Sequence, residues 1–498
     1  MNNGREQTAY DAIVVGSGPG GVVSAALAAQ RGLRVLLAEK NAKAGGKMMT
    51  VSRDGFTYDL WPHGQVPVTG NAFETVFATL GVSDELGACL DPTSTEPAIE
   101  MKYRRPGERN YRGAAFPQAM ADPTPFFNLW GISAEEQERA VTLMTELAIM
   151  DKAEVDKLDA VTMHDYLSGK DISAALYGYM AFHSNASLAE PIDLVSAGEQ
   201  IRILQQIMLS GGGGSYRGGF GHLSDVIARE FERHGGKLVT GARVERIIVE
   251  NGRAGGVVLD GEPVRAPIVI SNAGLQPTVI KLVGREHFEA SYFDAIGKLV
   301  PGWGFTASRY FLNRKVTKVP MLVAYSDETW WNLERYERFC SGEIPDEVIV
   351  FATVVDNYDP EAAPPDKQCI IAGTICPPDP EVAGVGALHQ RVDRMFETQW
   401  PEIWSAIEHR EYAGPAQISA TSRDSVLPGQ GGECVGLAQI VGQCGADKPS
   451  VESPIDGLYY VGADAGATGM GTHSAALSGI MVADLITRRH RESVAAQG

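Results

Sequence analysis

A glycine-rich stretch near the start of the chain constrains the fold more than any other part of the sequence. A short apolar run, Ala12–Val15, leads into Gly16-Ser17-Gly18-Pro19-Gly20-Gly21, and an alanine-rich run follows. A second apolar run, residues 33–38, ends in Glu39. This order predicts a strand, a glycine turn, a helix and a second strand that ends in an acid, which is the pattern of a dinucleotide-binding βαβ unit.

Each part of this pattern has its own physical role. We expect Gly16 to allow the tight turn after the strand, Gly18 to let the backbone approach a pyrophosphate, and Gly21 to let the helix pack close to the sheet. The pyrophosphate would lie at the helix N-terminus, where backbone N–H groups are unpaired. Glu39 is placed to accept both ribose hydroxyls. Because its carboxylate would repel a 2′-phosphate, the pattern argues against NADP in this pocket.

Length, charge and cysteine usage narrow the class of protein. A chain of 498 residues is long enough for two or more lobes. A formal net charge of −19 argues against nucleic acid or an anionic membrane surface as a general partner. The six cysteines have no zinc-type spacing, so we expect no metal site and a reducing compartment. With no apparent signal peptide and no run near the ~18 apolar residues of a membrane span, the protein is expected to be cytoplasmic.

The character of the sequence changes along the chain and then returns. Glycine-rich patterns typical of nucleotide-binding segments occur in residues 8–75, 205–280 and 450–490, which are assigned to a nucleotide-binding domain. Residues 76–204 are dominated by helical patterns and residues 281–449 by aromatic strands, and both are assigned to a substrate domain. Alternation in residues 48–58 and the pair Asn251-Gly252 each predict a β-hairpin. We therefore predict two interleaved domains.

Three stretches, residues 10–64, 215–272 and 453–485, resemble the phytoene desaturase and carotenoid isomerase group of FAD-dependent oxidoreductases, which belongs to a wider set that includes the amine oxidases. Residues 217–223, Arg-Gly-Gly-Phe-Gly-His-Leu, look like the family's RGGMG segment. Residues 458–463, Leu-Tyr-Tyr-Val-Gly-Ala, resemble its LYLVGA strand. The resemblance implies an α/β fold in which a glutathione-reductase-type FAD-binding domain (Rossmann-like ββα) is interleaved with an α+β substrate domain.

The resemblance also implies where FAD binds. The glycine turn would line the diphosphate and Val244 would meet the adenine through its backbone. Asp464 would lie near the diphosphate or the ribityl chain, and Gly469 and Met470 would approach the isoalloxazine. Lys47 stands where the family has arginine, which keeps the charge but loses the planar fork. The implied cofactor-binding residues are Gly16, Ser17, Gly18, Pro19, Gly20, Gly21, Glu39, Lys40, Gly45, Gly46, Lys47, Val244, Asn272, Gly462, Asp464, Gly469 and Met470.

Two turns near the expected flavin ring depart from the family's sequences. Residues 59–64 read Asp-Leu-Trp-Pro-His-Gly instead of Asp-x-Gly-Pro-Thr, and residues 465–473 replace a His-Pro-Gly-Gly turn. They contain His63 and His473, which are the candidate catalytic acid/base residues, although a lone histidine in a turn is more often structural. The aromatic residues that could form a substrate wall, or could equally be ordinary packing, are Trp61, Tyr179, Trp303, Trp330 and Trp331.

The function that these features favour is an FAD-dependent desaturase or dehydrogenase that acts on CH–CH bonds. Hydride would pass from a C–H bond of an apolar isoprenoid or alicyclic substrate to flavin N5, while a nearby base takes the proton. The acceptor of the electrons, whether oxygen, a quinone or another carrier, is not defined by the sequence, and neither is the oligomeric state. A flavin amine oxidase and a non-catalytic FAD-binding escort protein are the alternatives. Peripheral membrane contact through short apolar patches stays open.

Overall fold

The computed structural model describes residues 10–61, 66–91, 94, 96–117, 122–210, 212–469 and 471–495. Residues 493–495 are described by their backbone alone. The strands of these residues form one parallel sheet, one large mixed sheet and four small antiparallel sheets. In chain order they are β1 (Ala12–Val15), β2 (Val35–Ala38), β3 (Thr50–Arg53), β4 (Phe56–Asp59), β5 (Ala88–Cys89), β6 (Pro97–Arg104), β7 (Arg112–Pro117), β8 (Ser215–Tyr216), β9 (Lys237–Val239), β10 (Val244–Glu250), β11 (Arg253–Leu259), β12 (Glu262–Arg265), β13 (Ile268–Ser271), β14 (Gly304–Phe305), β15 (Ala307–Leu312), β16 (Met321–Ser326), β17 (Val350–Val354), β18 (Gln368–Gly373), β19 (Ile375–Cys376), β20 (Ile407–Ala413) and β21 (Leu458–Tyr460).

Six of the α-helices in the described residues lie in the stretch between β7 and β8. In chain order the α-helices are α1 (Pro19–Gln30), α2 (Ala72–Leu80), α3 (Thr124–Trp130), α4 (Ala134–Ile149), α5 (Lys152–Lys157), α6 (Met163–Ser168), α7 (Ala174–Leu188), α8 (Ala197–Leu209), α9 (Phe220–Arg233), α10 (Ala290–Gly297), α11 (Leu333–Cys340), α12 (Val385–Gln399), α13 (Pro401–Trp404), α14 (Pro415–Thr421) and α15 (Gly471–Ala495).

The parallel sheet has the order β9-β2-β1-β13-β21, so its strands come from three distant parts of the chain. Every residue of β1 and β2 is buried, as expected for a parallel sheet that is covered on both faces. Helix α1 packs on these two strands and also contacts α9 and α15, while the small sheet β10-β11-β12 contacts β13. The glycine turn thereby comes to lie at the carboxyl ends of the strands, where open α/β sheets bind their ligands.

The large sheet has the order β20-β15-β18-β17-β16-β6-β7, and its strands pair antiparallel except for β16 with β6. Strands β16, β17 and β18 share one buried apolar cluster with helices α3, α4, α7 and α8. A second cluster surrounds the parallel sheet. The functional cavity described below is lined from both of these clusters.

Both predicted hairpins are confirmed. Strands β3 and β4 pair through a turn at Asp54 (φ 52°) and Gly55 (φ 82°). Strands β10 and β11 pair through Asn251 (φ 52°) and Gly252 (φ 75°). Two consecutive residues with positive φ match the right-handed twist of the flanking strands, which explains the choice of Asp-Gly and Asn-Gly. Within the part of the chain that the structure describes, no helix is both long and apolar enough to cross a membrane.

Candidate functional site

The glycine turn packs against the ends of two neighbouring strands. Gly16 has φ +86°, which permits the sharp exit from β1. A Cβ on Gly18 would lie 2.5 Å from the side-chain nitrogen of Asn272, which follows β13. One on Gly20 would lie 2.6 Å from the backbone nitrogen of Gly462, which follows β21, and one on Gly21 would collide with the carbonyl of Gly16. The absent side chains therefore let three strand ends and the start of α1 converge.

Glu39, at the end of β2, is buried and its carboxylate accepts four hydrogen bonds. One oxygen accepts from the backbone N–H of Ser17 at 2.9 Å and from its hydroxyl at 2.6 Å. The other accepts from the backbone and side-chain nitrogens of Asn41, both at 2.8 Å. Glu39 thus ties the glycine turn to the loop after β2, at the position where the sequence predicts a ribose.

A positively charged cluster lies beside this loop. Asp424 forms ion pairs with Lys40 (3.1 Å), Arg243 (2.9 Å) and Lys281 (2.6 Å). Burial opposes ionisation of Asp424, but the three cations hold its pKa far below its usual range. All four residues line the cavity that is described below. One carboxylate thereby joins three separate parts of the chain at the end of the cavity that also contains the glycine turn and Glu39, which we call the nucleotide end.

Asp464, after β21, is a second buried carboxylate with several donors. It accepts from the backbone N–H groups of Leu275 (2.8 Å) and Leu437 (2.9 Å) and from the Nη1 of Arg423 (2.7 Å). Burial alone would raise the pKa of Asp464, yet Arg423 and these N–H groups lower it. Asp464 is therefore ionised, and it fixes the loops that close this part of the cavity.

Lys47 follows the Gly45-Gly46 pair and also lines the cavity. Its Nζ donates to the carbonyl of Val435 at 3.0 Å. Burial lowers the pKa of the Lys47 ammonium, while the nearby Glu433 carboxylate opposes that shift. Gly45 lies behind the glycine turn, since its N–H donates to the carbonyl of Ser17 at 3.1 Å.

A single cavity of about 1040 Å³ connects this nucleotide end to an apolar chamber. Of the predicted cofactor residues, those that line it are Gly16, Gly18, Pro19, Glu39, Lys40, Gly46, Lys47, Val244, Asn272, Gly462 and Asp464. Ser17, Gly20, Gly21, Gly45 and Gly469 belong to the same turns but are not among the lining residues. Met470 and His63 lie outside the described residues.

The chamber is walled by helices of the residue 122–210 segment and by the large sheet. Among its wall residues are Met101, Phe126, Trp130, Met144, Leu176, Tyr179, Phe182, Leu204, Phe305, Met321, Val323 and Phe351. The carboxylates among the described lining residues, Glu39, Asp424 and Asp464, all belong to the nucleotide end described above. The chamber therefore suits an apolar molecule.

The histidines divide between the wall and the core. His473 is buried, its ring centre lies 5.5 Å from that of Phe73, and it is not among the lining residues. His183 on α7 does line the chamber. Burial lowers the pKa of both imidazoles to about 4, so both are neutral near pH 7. The proposed catalytic roles of His63 and His473 stay predictions.

Of the five aromatic residues suggested as a substrate wall, Tyr179 lines the cavity. The other four, Trp61, Trp303, Trp330 and Trp331, are packed elsewhere among the described residues; Trp303, for example, stacks on Tyr336 at 4.3 Å between ring centres. These four tryptophans therefore fit the alternative given above, in which they pack against other side chains and do not form a substrate wall.

Several cavity residues were not found from the sequence. Asn41, Arg423 and Asp424 lie in loops without a recognisable motif, and each has a partner that is distant in the chain, which for Asn41 is the carbonyl of Thr421. His183 had a signal, because Leu176, Tyr179, His183 and Ala186 recur at helical spacing. That spacing defines a helix face but does not say whether the face meets the core or a ligand.

Comparison with known proteins gives a consistent family. The sequence matches the family described as "Flavin containing amine oxidoreductase" over residues 19–487. It is 27% identical over 385 residues to a phytoene desaturase of Fusarium fujikuroi, which covers 72% of this chain and 65% of that protein. It is 25% identical over 515 aligned positions to a chloroplastic prolycopene isomerase of Arabidopsis thaliana, covering 96% of this chain and 82% of that protein.

The fold has close relatives among solved structures. The crystal structure of an oxidoreductase from Methanosarcina mazei superposes with a TM-score of 0.68 and covers 95% of this chain and 99% of that one. Their sequences are 20% identical, so the likeness concerns the fold.

Proposed function

We propose a function on the premise that the chain belongs to the family of flavin containing amine oxidoreductases and that its cofactor is FAD. The protein is a desaturase or dehydrogenase that acts on the CH–CH bonds of apolar isoprenoid or alicyclic substrates. The observation that carries this proposal is the single cavity, which joins the dinucleotide turn to an apolar chamber. The names of the curated relatives, a phytoene desaturase and a prolycopene isomerase, support the substrate class.

The residues at the nucleotide end fit FAD. The side-chain-free surface of Gly18 and the N-terminus of α1 suit a diphosphate, since that helix end carries unpaired N–H groups. The Ser17 hydroxyl and the Asn41 amide are the two side-chain donors on Glu39 that ribose hydroxyls could replace. Val244 would border the adenine, and Lys47 would lie along the flavin tail.

We assign the FAD-binding domain to the glutathione-reductase type. The order β9-β2-β1-β13-β21, with the antiparallel β10-β11-β12 sheet inserted before β13, supports this assignment. The domain boundaries proposed from the sequence, residues 8–75, 205–280 and 450–490 for FAD and 76–204 and 281–449 for substrate, belong to the same proposal.

FAD, when bound, supplies a hydride acceptor at N5. The protein's own part is to hold the substrate skeleton among apolar side chains, to keep water out, and to accept the proton that the neighbouring carbon releases. Neutral imidazoles suit the last task, because a neutral histidine has a free acceptor nitrogen. His63 and His473 remain the proposed bases.

A flavin amine oxidase is the alternative enzyme. An ammonium substrate would be buried without a countercharge, because the described walls of the chamber carry no carboxylate. The chamber therefore favours the isoprenoid or alicyclic substrate over the amine.

The test is anaerobic mixing of the FAD-loaded protein with four reductants: phytoene, farnesol, putrescine and NADPH. We expect one of the isoprenoids to bleach the flavin absorbance faster than either putrescine or NADPH does. Reduction by putrescine alone would establish the amine oxidase, and reduction by none of the four would favour the escort protein.

We also propose that the protein contacts the membrane periphery at the mouth of the chamber. Val141 and Met208 line the cavity and are 45% and 46% exposed, and Ile149 and Leu209, at the ends of the same two helices, are 76% and 83% exposed. An apolar substrate dissolved in a bilayer could enter the chamber through this rim without crossing water. The net charge of −19 indicates a zwitterionic rather than an anionic surface.

A further inference from the structure

His183 and Ser187 are two of the polar side chains in the otherwise apolar wall of the chamber. They lie one turn apart on α7, and both line the cavity. The distance from His183 Nε2 to the Ser187 hydroxyl is 3.4 Å, which is long for a hydrogen bond. His183 Nδ1 is buried and has no hydrogen-bond partner among the described residues.

The surroundings of this pair are apolar and aromatic. His183 is only 7% exposed, and its ring centre lies 6.5 Å from that of Tyr179. Leu176 and Phe182 line the cavity from the same helix. A buried polar atom without a hydrogen-bond partner destabilises the folded state, so replacing His183 with leucine would stabilise a helix that only had to pack an apolar wall.

A neutral imidazole and a hydroxyl together offer both a donor and an acceptor. Such a pair can donate to a carbonyl oxygen or accept from a hydroxyl group of a ligand. The hydrocarbon part of the same ligand would be held by the surrounding leucine, tyrosine and phenylalanine side chains. The position of His183 thus marks one point in the chamber where an oxygen is favoured over carbon.

We propose that His183 and Ser187 form a specificity subsite for a single hydroxyl or carbonyl oxygen on an otherwise apolar substrate. The proposal rests on the proposed function, since it takes the isoprenoid or alicyclic skeleton as the occupant of the chamber. It narrows the substrate class from plain hydrocarbons to oxygenated ones.

The test is a comparison of two probes, farnesol and the hydrocarbon that lacks only its hydroxyl, titrated calorimetrically and anaerobically into the FAD-loaded protein after its flavin has been reduced with dithionite. We expect the natural protein to bind farnesol at least about tenfold more tightly. The His183→Leu variant should reduce this preference to about threefold or less, while its affinity for the hydrocarbon is unchanged or higher. Ser187→Ala should reduce the preference by a smaller factor.

Met180→Leu, a buried apolar exchange on the same helix at a residue that does not line the cavity, is the matched control and should keep the full preference. Bound FAD and the thermal unfolding midpoint establish that each variant is folded. Equal affinity of the natural protein for the two probes, or an undiminished preference in both His183→Leu and Ser187→Ala, would overturn the proposal. Because binding is measured without turnover, its result does not depend on whether any isoprenoid reduces the flavin. Failure of every isoprenoid to reduce the flavin would refute the proposed function, whereas the binding preference alone decides whether this subsite exists.

Discussion

At the scale of single residues, Glu39 connects the dinucleotide motif to the rest of the site. Its four donors come from Ser17 and Asn41, so one carboxylate holds the glycine turn and the loop after β2 together. An amide at this position would present its nitrogen to backbone donors. The charge therefore supports the geometry of the turn, at the position where we propose that the ribose binds.

We predict that Glu39→Gln lowers the affinity for FAD by about 10- to 100-fold, because hydrogen bonds to a charged group contribute about 1.5–3 kcal/mol. Fluorescence titration of the FAD-free protein measures the change. Glu245→Gln, an exposed exchange next to Val244, is the control and should bind FAD normally. Normal affinity in Glu39→Gln would show that Glu39 does not support the cofactor site.

Buried histidines predict how stability depends on pH. Burial lowers the pKa of His183, His389 and His473 to about 4, against 6.5 in the unfolded chain. Between these values the unfolded state binds more protons than the folded state, so stability falls as the pH drops from 6.5 to 4. Each histidine contributes a slope of about 1.4 kcal/mol per pH unit within this window.

We predict that His473→Leu makes the free energy of unfolding less dependent on pH between 4 and 6.5, as measured by urea denaturation at a series of pH values. Met180→Leu, a buried apolar exchange on α7, should change stability equally at every pH. A pH dependence that is identical in His473→Leu and the natural protein would mean that folding does not lower the pKa of His473.

At the scale of elements, the contact between α1 and α15 holds the nucleotide end in shape. Gly479 on α15 lies so close to α1 that a Cβ on it would be 2.5 Å from the carbonyl oxygen of Gly20 and 3.1 Å from Val23. Gly462 precedes α15 and donates its N–H to Ser478 at 2.9 Å. The two helices therefore place the glycine turn and the end of β21 relative to each other.

Gly479→Ala should push these helices apart, reducing stability by about 1–3 kcal/mol and weakening FAD binding. Gly386→Ala is the matched control, since Gly386 lies in α12 and a Cβ there meets no atom within 4 Å. It should be neutral or raise stability by up to about 1 kcal/mol. Denaturant unfolding distinguishes them, and an equally harmless Gly479→Ala would contradict the close packing.

The elements that depend on local chemistry could be predicted from the sequence. The βαβ unit follows from strand and glycine patterns, and the two hairpins follow from the alternation in residues 48–58 and from Asn251-Gly252. The contacts of Asp424 could not be predicted, because its three cations come from distant parts of the chain and only the folded chain brings them together. The wall of the chamber could not be predicted either. The spacing of apolar residues predicts a helix at α7, but which of its faces borders the cavity depends on how α7 packs in the folded chain.

At the scale of the whole molecule, the exposed apolar rim predicts a measurable affinity for lipid. The double variant Ile149→Glu, Leu209→Glu should lose most of its binding to phosphatidylcholine vesicles in co-sedimentation, because two charges would have to enter an apolar phase. Val300→Glu is the control, since Val300 is 44% exposed and does not line the cavity. Equal sedimentation of all variants, or none by the natural protein, would exclude this rim as a membrane contact.

The whole account depends on one cavity that serves both the cofactor and an apolar substrate. The most direct test is an anaerobic single turnover of the FAD-loaded protein with an isoprenoid, in which flavin absorbance and product are measured in the same sample. We predict that loss of flavin absorbance and formation of one new double bond per flavin proceed at the same rate. Reduction of the flavin by an amine, with no double bond formed from any isoprenoid, would contradict the account.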